Sequence, residues 1–349
     1  MHSSSNSPVS RRVWVDCAKG LGILLVVYGH VSRGVLTAGI TPKYAALELI
    51  DEVIYSFHMP LFFFLSGLFV VDSVQSRGLS RYIANRVDVI LYPYVVWSIL
   101  QGLAHVWLSD YSNERTNFSD VMSLAWHPRA QFWYLYALFV FAVLAALVVV
   151  ARRSKSLPIF AAVTLVLYLF SGRFDYLPEL PANAIYYVLG ILYSRSRFSV
   201  SGDFYTSLVP LTASFCLAQY IFHISLGMSY RDVGPAALAL ALLSIGFVVS
   251  LCMWLSEIRV RSLAYFGACS MAIYLMHIMA GSGVRIALAG IFNVDNVFVH
   301  LALGTVLGVA LPLLAVEAGK RINISFLFQA PSHISAERTI WPGRLRHKP

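Results

Sequence analysis

Among the histidines that stand inside apolar runs of this chain, three have the most pointed surroundings: His30, His58 and His277. An ionisable side chain is costly in such surroundings, so each marks a site hypothesis by default. His30 has the most pointed neighbourhood. At 100° per residue, Arg12, Asp16, Lys19, Ile23, Val26 and His30 share one helical face. Lys19 precedes His30 by eleven positions, which is about 16 Å along a helix axis. Asp16 and Lys19 are three apart and able to neutralise one another. An imidazole that stays neutral in an apolar tunnel can take the proton of a hydroxyl as a general base. The same ring can act as a nucleophile and hold an acyl group. Against both stands a packing role, with the ring bonded to a backbone carbonyl. Spacing alone leaves these readings open.

His58 lies in Ser56-Phe57-His58-Met59-Pro60-Leu61-Phe62-Phe63-Phe64-Leu65-Ser66-Gly67. Pro60 biases Met59 away from helix and frees backbone groups beside the imidazole. A membrane tolerates such backbone only where it lines a cavity or is buried in protein. His58 and Ser66 are therefore candidates for a substrate cavity, unless Pro60 simply starts a helix. Ser270, Tyr274 and His277 recur at i, i+4 and i+7 and make one helical face polar. That face suits either the cavity or plain hydrogen bonding between helices. Arg77, Arg81 and Arg86 form a basic cluster whose default role is topogenic. Arg81 and Arg86 also suit the phosphates of a nucleotide-bearing donor. His105 and Asp110 match an H-x-x-x-x-D pattern, which reads as coincidence. There is no Gly-rich phosphate loop, H-E-x-x-H or G-x-S-x-G. The four cysteines are scattered without metal spacing, so no metal is expected.

The elements that must position these residues follow from composition. Of 349 residues 58% are hydrophobic and 12% charged, with a mean hydropathy of +0.70. A soluble domain carries about 25% charged residues, so water is not the solvent of most of this surface. A bilayer core of about 30 Å asks for roughly 20 apolar residues per helix. Ten runs qualify: 20–36, 54–71, 87–107, 132–150, 157–170, 182–194, 207–224, 234–255, 263–283 and 298–317, the fifth and sixth being short. The net charge of +9 sits in short loops between these runs, as positive-inside topology requires, and not in a nucleic-acid surface. With the N-terminus in the cytoplasm, 18 of the 26 Lys and Arg fall on that side and 7 opposite, Lys19 lying at a span edge. A miscounted span would invert every later loop and scramble that bias.

The expected fold is thus an all-α polytopic membrane protein of about ten transmembrane helices in one bundle, both termini cytoplasmic. Residues 1–19 form the cytoplasmic N-terminal segment, 20–329 the transmembrane domain, and 330–349 a loose basic tail. No cleavage site follows the first span, which is expected to be retained.

The stretch from Asp16 to His30, DCAKGLGILLVVYGH, resembles the opening of the acyltransferase-3 family. These are bacterial membrane acyltransferases of surface glycans and include a fucose 4-O-acetylase-like branch. The family's basic residue, ten arbitrary residues and histidine are met by Lys19 and His30. Phe57 through Gly67 is similar to its second block, and Phe132 through Phe139 and Gly267 through His277 resemble later ones. The resemblance implies acyl-CoA, usually acetyl-CoA, as a cytoplasmic co-substrate with no permanently bound cofactor. It also implies His30 as the essential residue, with Lys19 supporting it. In the third-span block Arg86 is present, but Val89 stands where a second arginine is usual before Pro93.

The expectation is an inner-membrane O-acyltransferase that moves acetyl onto a sugar hydroxyl of a polysaccharide or its lipid-linked precursor. His30 is the catalytic residue; Asp16 and Lys19 order the donor path; Arg81 and Arg86 hold the CoA head; His58, Ser66, Tyr274 and His277 line the substrate cavity. Its partners are acyl-CoA, a glycan or lipid-linked sugar and membrane lipids, with no nucleic acid. The rival reading is a secondary transporter or glycan-handling channel, which ten spans with midplane polar groups also fit.

Overall fold

In lipid every backbone N–H and C=O must be satisfied within the protein, and a helix does this within its own segment. The computed structural model describes residues 8–40, 44–107, 123, 127–151, 156–196, 204–322 and 324–340, and every regular element among them is helical. Among the described residues eight helical runs are long and apolar enough to cross a bilayer: Val13–Thr37, Ala45–Arg77, Leu79–Trp107, Ala130–Val150, Leu208–Ser225, Pro235–Glu257, Ser270–Ile291 and Val297–Gly319. The two short runs also form helices, Ser156–Leu169 and Glu179–Arg195, of 14 and 17 residues. At about 1.5 Å per residue these reach only about 21 and 26 Å, short of the bilayer core. Val209, Ile291 and Leu314 are 74, 71 and 64% exposed. Exposure on that scale is a liability in water and the proper surface toward acyl chains. The protein is an all-α, multi-pass membrane protein.

Several positions used above lie outside the described residues: Lys43, Asp110, Arg115, Arg152, Arg153, Lys155, Arg197, Arg344, Arg346 and Lys348. Helix α1 (Pro8–Thr37) runs unbroken through the expected boundary at 19/20. Next come α2 (Ala45–Tyr55), a turn at Ser56–Phe57, and α3 (His58–Gly67). Pro60 thus stands in the first turn of α3, where a missing N–H costs nothing. Met59 is helical, so the irregularity expected at it is not found and Pro60 simply starts a helix, the turn lying earlier at Ser56–Phe57.

The chain forms two units, Met1–Leu65 with Arg197–Val316, and Ser66–Ser196 with Glu317–Pro349. Within the first, α1 packs against Pro235–Glu257, Arg261–Ala268 and Ser270–Ile286. The approach to Arg261–Ala268 is at backbone distance. A Cβ on Gly267 would fall on the Asp16 carbonyl, and one on Gly20 would fall on the Leu263 carbonyl. Small residues let membrane helices come this close, and dispersion rather than hydrophobicity then holds them.

Within the second unit the tail is not loose. The expectation from Ala330 onward fails for residues 330–340, which dock on Leu79–Arg86 and the π-helical turn Val87–Leu91. Trp97 Nε1 donates to the Leu327 carbonyl at 2.7 Å, and the Ala330 N–H to the Asp88 carbonyl at 3.1 Å. The Asp88 carboxylate, 3% exposed, accepts from Ser335 Oγ at 2.6 Å and from the N–H groups of Ala336 and Glu337 at 2.8 and 3.1 Å. It thereby caps the short helix Ala336–Ile340 from about 250 positions away. Glu337 in turn accepts from Arg81 Nε at 2.6 Å and Asn85 Nδ2 at 3.0 Å.

Losing a charge-assisted set of this kind costs about 1.5–3 kcal/mol, roughly ten- to a hundredfold in an opening equilibrium. Asp88→Ala is therefore expected to raise amide exchange across 330–340 by that factor, and unchanged protection would show the docking to be incidental. Burial alone would raise the Glu337 carboxyl, but the hydrogen bonds from Arg81 and Asn85 prevail and hold it below the usual carboxylate range. Its contribution to docking is therefore complete above pH of about 5 and fades as the pH falls through the lowered value. Exchange followed downward from neutrality should show that loosening.

Candidate active site

Helices α1, α2, α3 and Ser270–Ile286 bring His30, His58 and His277 of the first unit together. The His30 and His277 rings are 5.0 Å apart between centroids. Tyr55, at the end of α2, stands 6.4 Å from His30 and 4.5 Å from His58. His58 Nδ1 lies 2.8 Å from the Ile54 carbonyl, and His277 Nδ1 lies 2.7 Å from the Tyr274 carbonyl. A carbonyl only accepts, so each Nδ1 carries the proton and each Nε2 presents a lone pair. Both rings are 1% exposed, and His277 Nε2 is buried with no partner. His30 differs. It is partly exposed, and no hydrogen bond joins its ring to another described residue. The backbone-carbonyl bond weighed for His30 is thus not found at that ring, whereas His58 and His277 each make one.

One turn beyond His30, Arg33 makes a forked pair with Asp51, Nε to Oδ1 at 2.9 Å and Nη2 to Oδ2 at 2.8 Å. Its guanidinium lies 3.2 Å above the centre of the Tyr55 ring. Cation and carboxylate together lock the ring that borders two of the imidazoles. The Tyr55 hydroxyl is buried without a partner, in the space beside Gly29. Sequence reasoning missed Arg33, Asp51 and Tyr55. The i+3 step from His30 to Arg33 and the i+4 step from Asp51 to Tyr55 were visible, but nothing in them pairs α1 with α2.

The other expected residues are placed as follows. Lys19 and Asp16 share α1 with His30 but lie about 16 and 21 Å below it, toward the Gly267 contact. They do not join the histidine cluster. Tyr274 is buried and borders His277, its ring centroid 6.0 Å away. Ser66 belongs to the second unit, where it hydrogen-bonds Tyr134. Arg81 and Arg86 also belong to that unit. Arg81 is committed to Glu337. Arg86 donates through Nη2 to Asn85 Oδ1 at 2.6 Å, while its Nε is buried without a partner. Of the two, Arg86 keeps donor capacity for an anion. Among the described residues no group of three His, Cys, Asp or Glu side chains could hold a metal ion.

The fold and the histidine cluster define a multi-pass helical membrane protein with an unbonded imidazole among tethered ones, and the comparison with known families states its class. The acyltransferase domain of the acyltransferase-3 family matches residues 12–317, and the chain belongs to that family. It is similar to the nodulation protein NolL of Sinorhizobium fredii (strain NBRC 101917 / NGR234), 25% identical over 194 residues that cover 56% of this chain and 52% of that protein. It is also similar to NolL of Mesorhizobium japonicum (strain LMG 29417 / CECT 9101 / MAFF 303099), 24% identical over 189 residues, 53% and 48% of the two chains. The chain spans about half the length of the curated relatives it matches. No solved structure matches it at a significant level.

Proposed function

We propose that this protein is an O-acyltransferase of the bacterial inner membrane. It moves acetyl from acetyl-CoA to a hydroxyl of a cell-surface glycan or its lipid-linked precursor. Family membership supports acyl transfer, and the state of His30 supports the chemistry. That ring is partly exposed and unbonded, while its neighbours are fixed through Nδ1. His30 takes the proton of the acceptor hydroxyl as the oxygen attacks the thioester carbonyl. The C–S bond then breaks, and the departing thiolate of CoA takes that proton back. His277 Nε2, a buried lone pair beside His30, is suited to receive an N–H of the His30 ring and so set its tautomer. Asp16 and Lys19 order the donor path, and Arg86 offers the free guanidinium donor for the CoA phosphates.

Labelled acetyl-CoA and the purified protein in nanodiscs, with glycan extracted from a strain lacking the gene, test the reading. Label is expected in the glycan, and the deletion strain's glycan should be lighter by one acetyl group per lost site. Glycan flux without donor consumption would instead establish the transporter reading.

A further inference from the structure

Beside the histidine cluster the first unit opens into a cavity of about 750 Å³ whose lining includes Arg33, Glu48, Asp51, Glu52, His223 and Tyr230. Its charges are mostly spent on one another. Arg33 is held by Asp51. Glu52 accepts from the Tyr230 N–H at 2.6 Å and Ser229 Oγ at 3.2 Å, which fixes the loop forming one wall. Arg231, also in the lining, gives its Nε to the Tyr230 hydroxyl at 3.0 Å. Besides the Arg231 Nη groups, the groups left over are acceptors. Glu48 makes no hydrogen bond or ion pair with another described residue and faces the opening. His223 sits on the π-helical turn Ile221–Ser225, a distortion that gathers at functional sites. Its Nδ1 donates to the Met228 carbonyl at 2.9 Å and lies 3.9 Å from Glu52 Oε2, so in the neutral ring its Nε2 is a lone pair. That atom is buried without a partner, in a residue only 9% exposed. Such an orphan acceptor calls for a ligand that brings a donor.

The cavity also adjoins the histidine cluster through a chain of aromatic contacts. Tyr230, in the lining, lies 5.3 Å from Tyr55, ring centre to ring centre, and Tyr55 in turn borders His30 and His58. We infer that this cavity is the acceptor site, and that it takes a neutral, hydroxyl-rich sugar ring in preference to an anionic one; this rests on the acyltransferase reading above. Hydroxyl donors meet His223 Nε2 and the Glu48 carboxylate, and the C–H face of the ring lies on Tyr230. Three carboxylates against two guanidinium groups, one of them held by Asp51, disfavour a uronate or a sugar phosphate. The volume falls within the range of small-ligand sites and accommodates a ring or two. In the topology expected from the charge bias, this end faces away from the cytoplasm.

Saturation-transfer NMR on the protein in nanodiscs, with a neutral methyl hexoside and the matching methyl hexuronide as probes, tests the site. Saturation is expected on the neutral glycoside in the wild type and equally in His30→Ala, which keeps the cavity and lacks the reactive ring. His223→Phe, Tyr230→Ala and Glu48→Gln should each weaken binding by about three- to tenfold and raise the acceptor KM by that factor, leaving the KM for acetyl-CoA unchanged. Glu48 is exposed, so a folding defect does not mask its effect. No transfer to the neutral glycoside, equal or tighter binding of the uronide, or an acceptor KM indifferent to all three changes overturns the inference. Sugar binding with these dependences, but no acyl transfer by the wild type, removes the enzymatic reading and leaves the binding site standing.

Discussion

His30→Ala is expected to lower acyl transfer by about 10²–10⁴-fold, the contribution of a positioned acid–base group, with insertion and thermal unfolding as in the wild type. The two halves of that result have separate causes. Stability survives because no partner of His30 is orphaned: the ring makes ring contacts to Tyr55 and His277 but no hydrogen bond to a described residue. Activity fails because neither remaining imidazole can substitute. His58 and His277 are anchored through Nδ1 to backbone carbonyls of their own turns, so neither can swing into the vacated place. His30→Gln separates proton transfer from polarity, since an amide fills the space and bonds a hydroxyl yet takes no proton at neutral pH. It should be as inactive as the alanine variant. Labelled acetyl transfer measured beside a melting curve decides the matter, and retained turnover in either variant refutes the assignment.

Gly267→Val should be the most destabilising single change outside the histidine cluster. The added Cβ would meet the carbonyl, carbon and Cα of Asp16, all backbone, so no rotamer change relieves the clash. Ordinary overpacking costs about 1–3 kcal/mol, and a backbone-on-backbone collision belongs at or above the upper end. Because α1 carries His30 as well as Asp16, forcing α1 off Arg261–Ala268 also displaces the reactive ring. Activity should fall with stability, although Asp16 lies about 21 Å from His30 along the helix. Gly20→Leu, against the Leu263 carbonyl, should behave alike. Gly246→Ala is the control, since a Cβ there meets open space and alanine favours the helix by about 1 kcal/mol. Unfolding in detergent that ranks Gly267→Val with Gly246→Ala would show that the close approach of these helices is not required.

Much of the architecture was legible because helix formation in a membrane is a local affair. Each apolar run satisfies its own backbone, so helices stand at all ten predicted positions, and the two flagged as short are the two that fall short in length. The shared face of Lys19 and His30 was legible for the same reason, since one unbroken helix carries both. The three histidines were marked individually by the cost of placing them among apolar neighbours.

Their company was not marked, because side chains on different helices meet through packing that no periodicity along one chain records. Tyr55 beside His30 and His58, Arg33 forked onto Asp51, and His223 facing the same cavity are all products of helix association. The tail shows the limit most clearly. Ser335 and Glu337 looked like a solvated terminus, and only their meeting with Asp88, Arg81 and Asn85 about 250 positions earlier turned them into a dock. Sequence alone determined which segments enter the membrane, since that depends on each segment's own transfer from water. The tertiary structure decided which imidazoles are tethered and which is left unbonded, since that depends on what each neighbouring turn and helix has already satisfied.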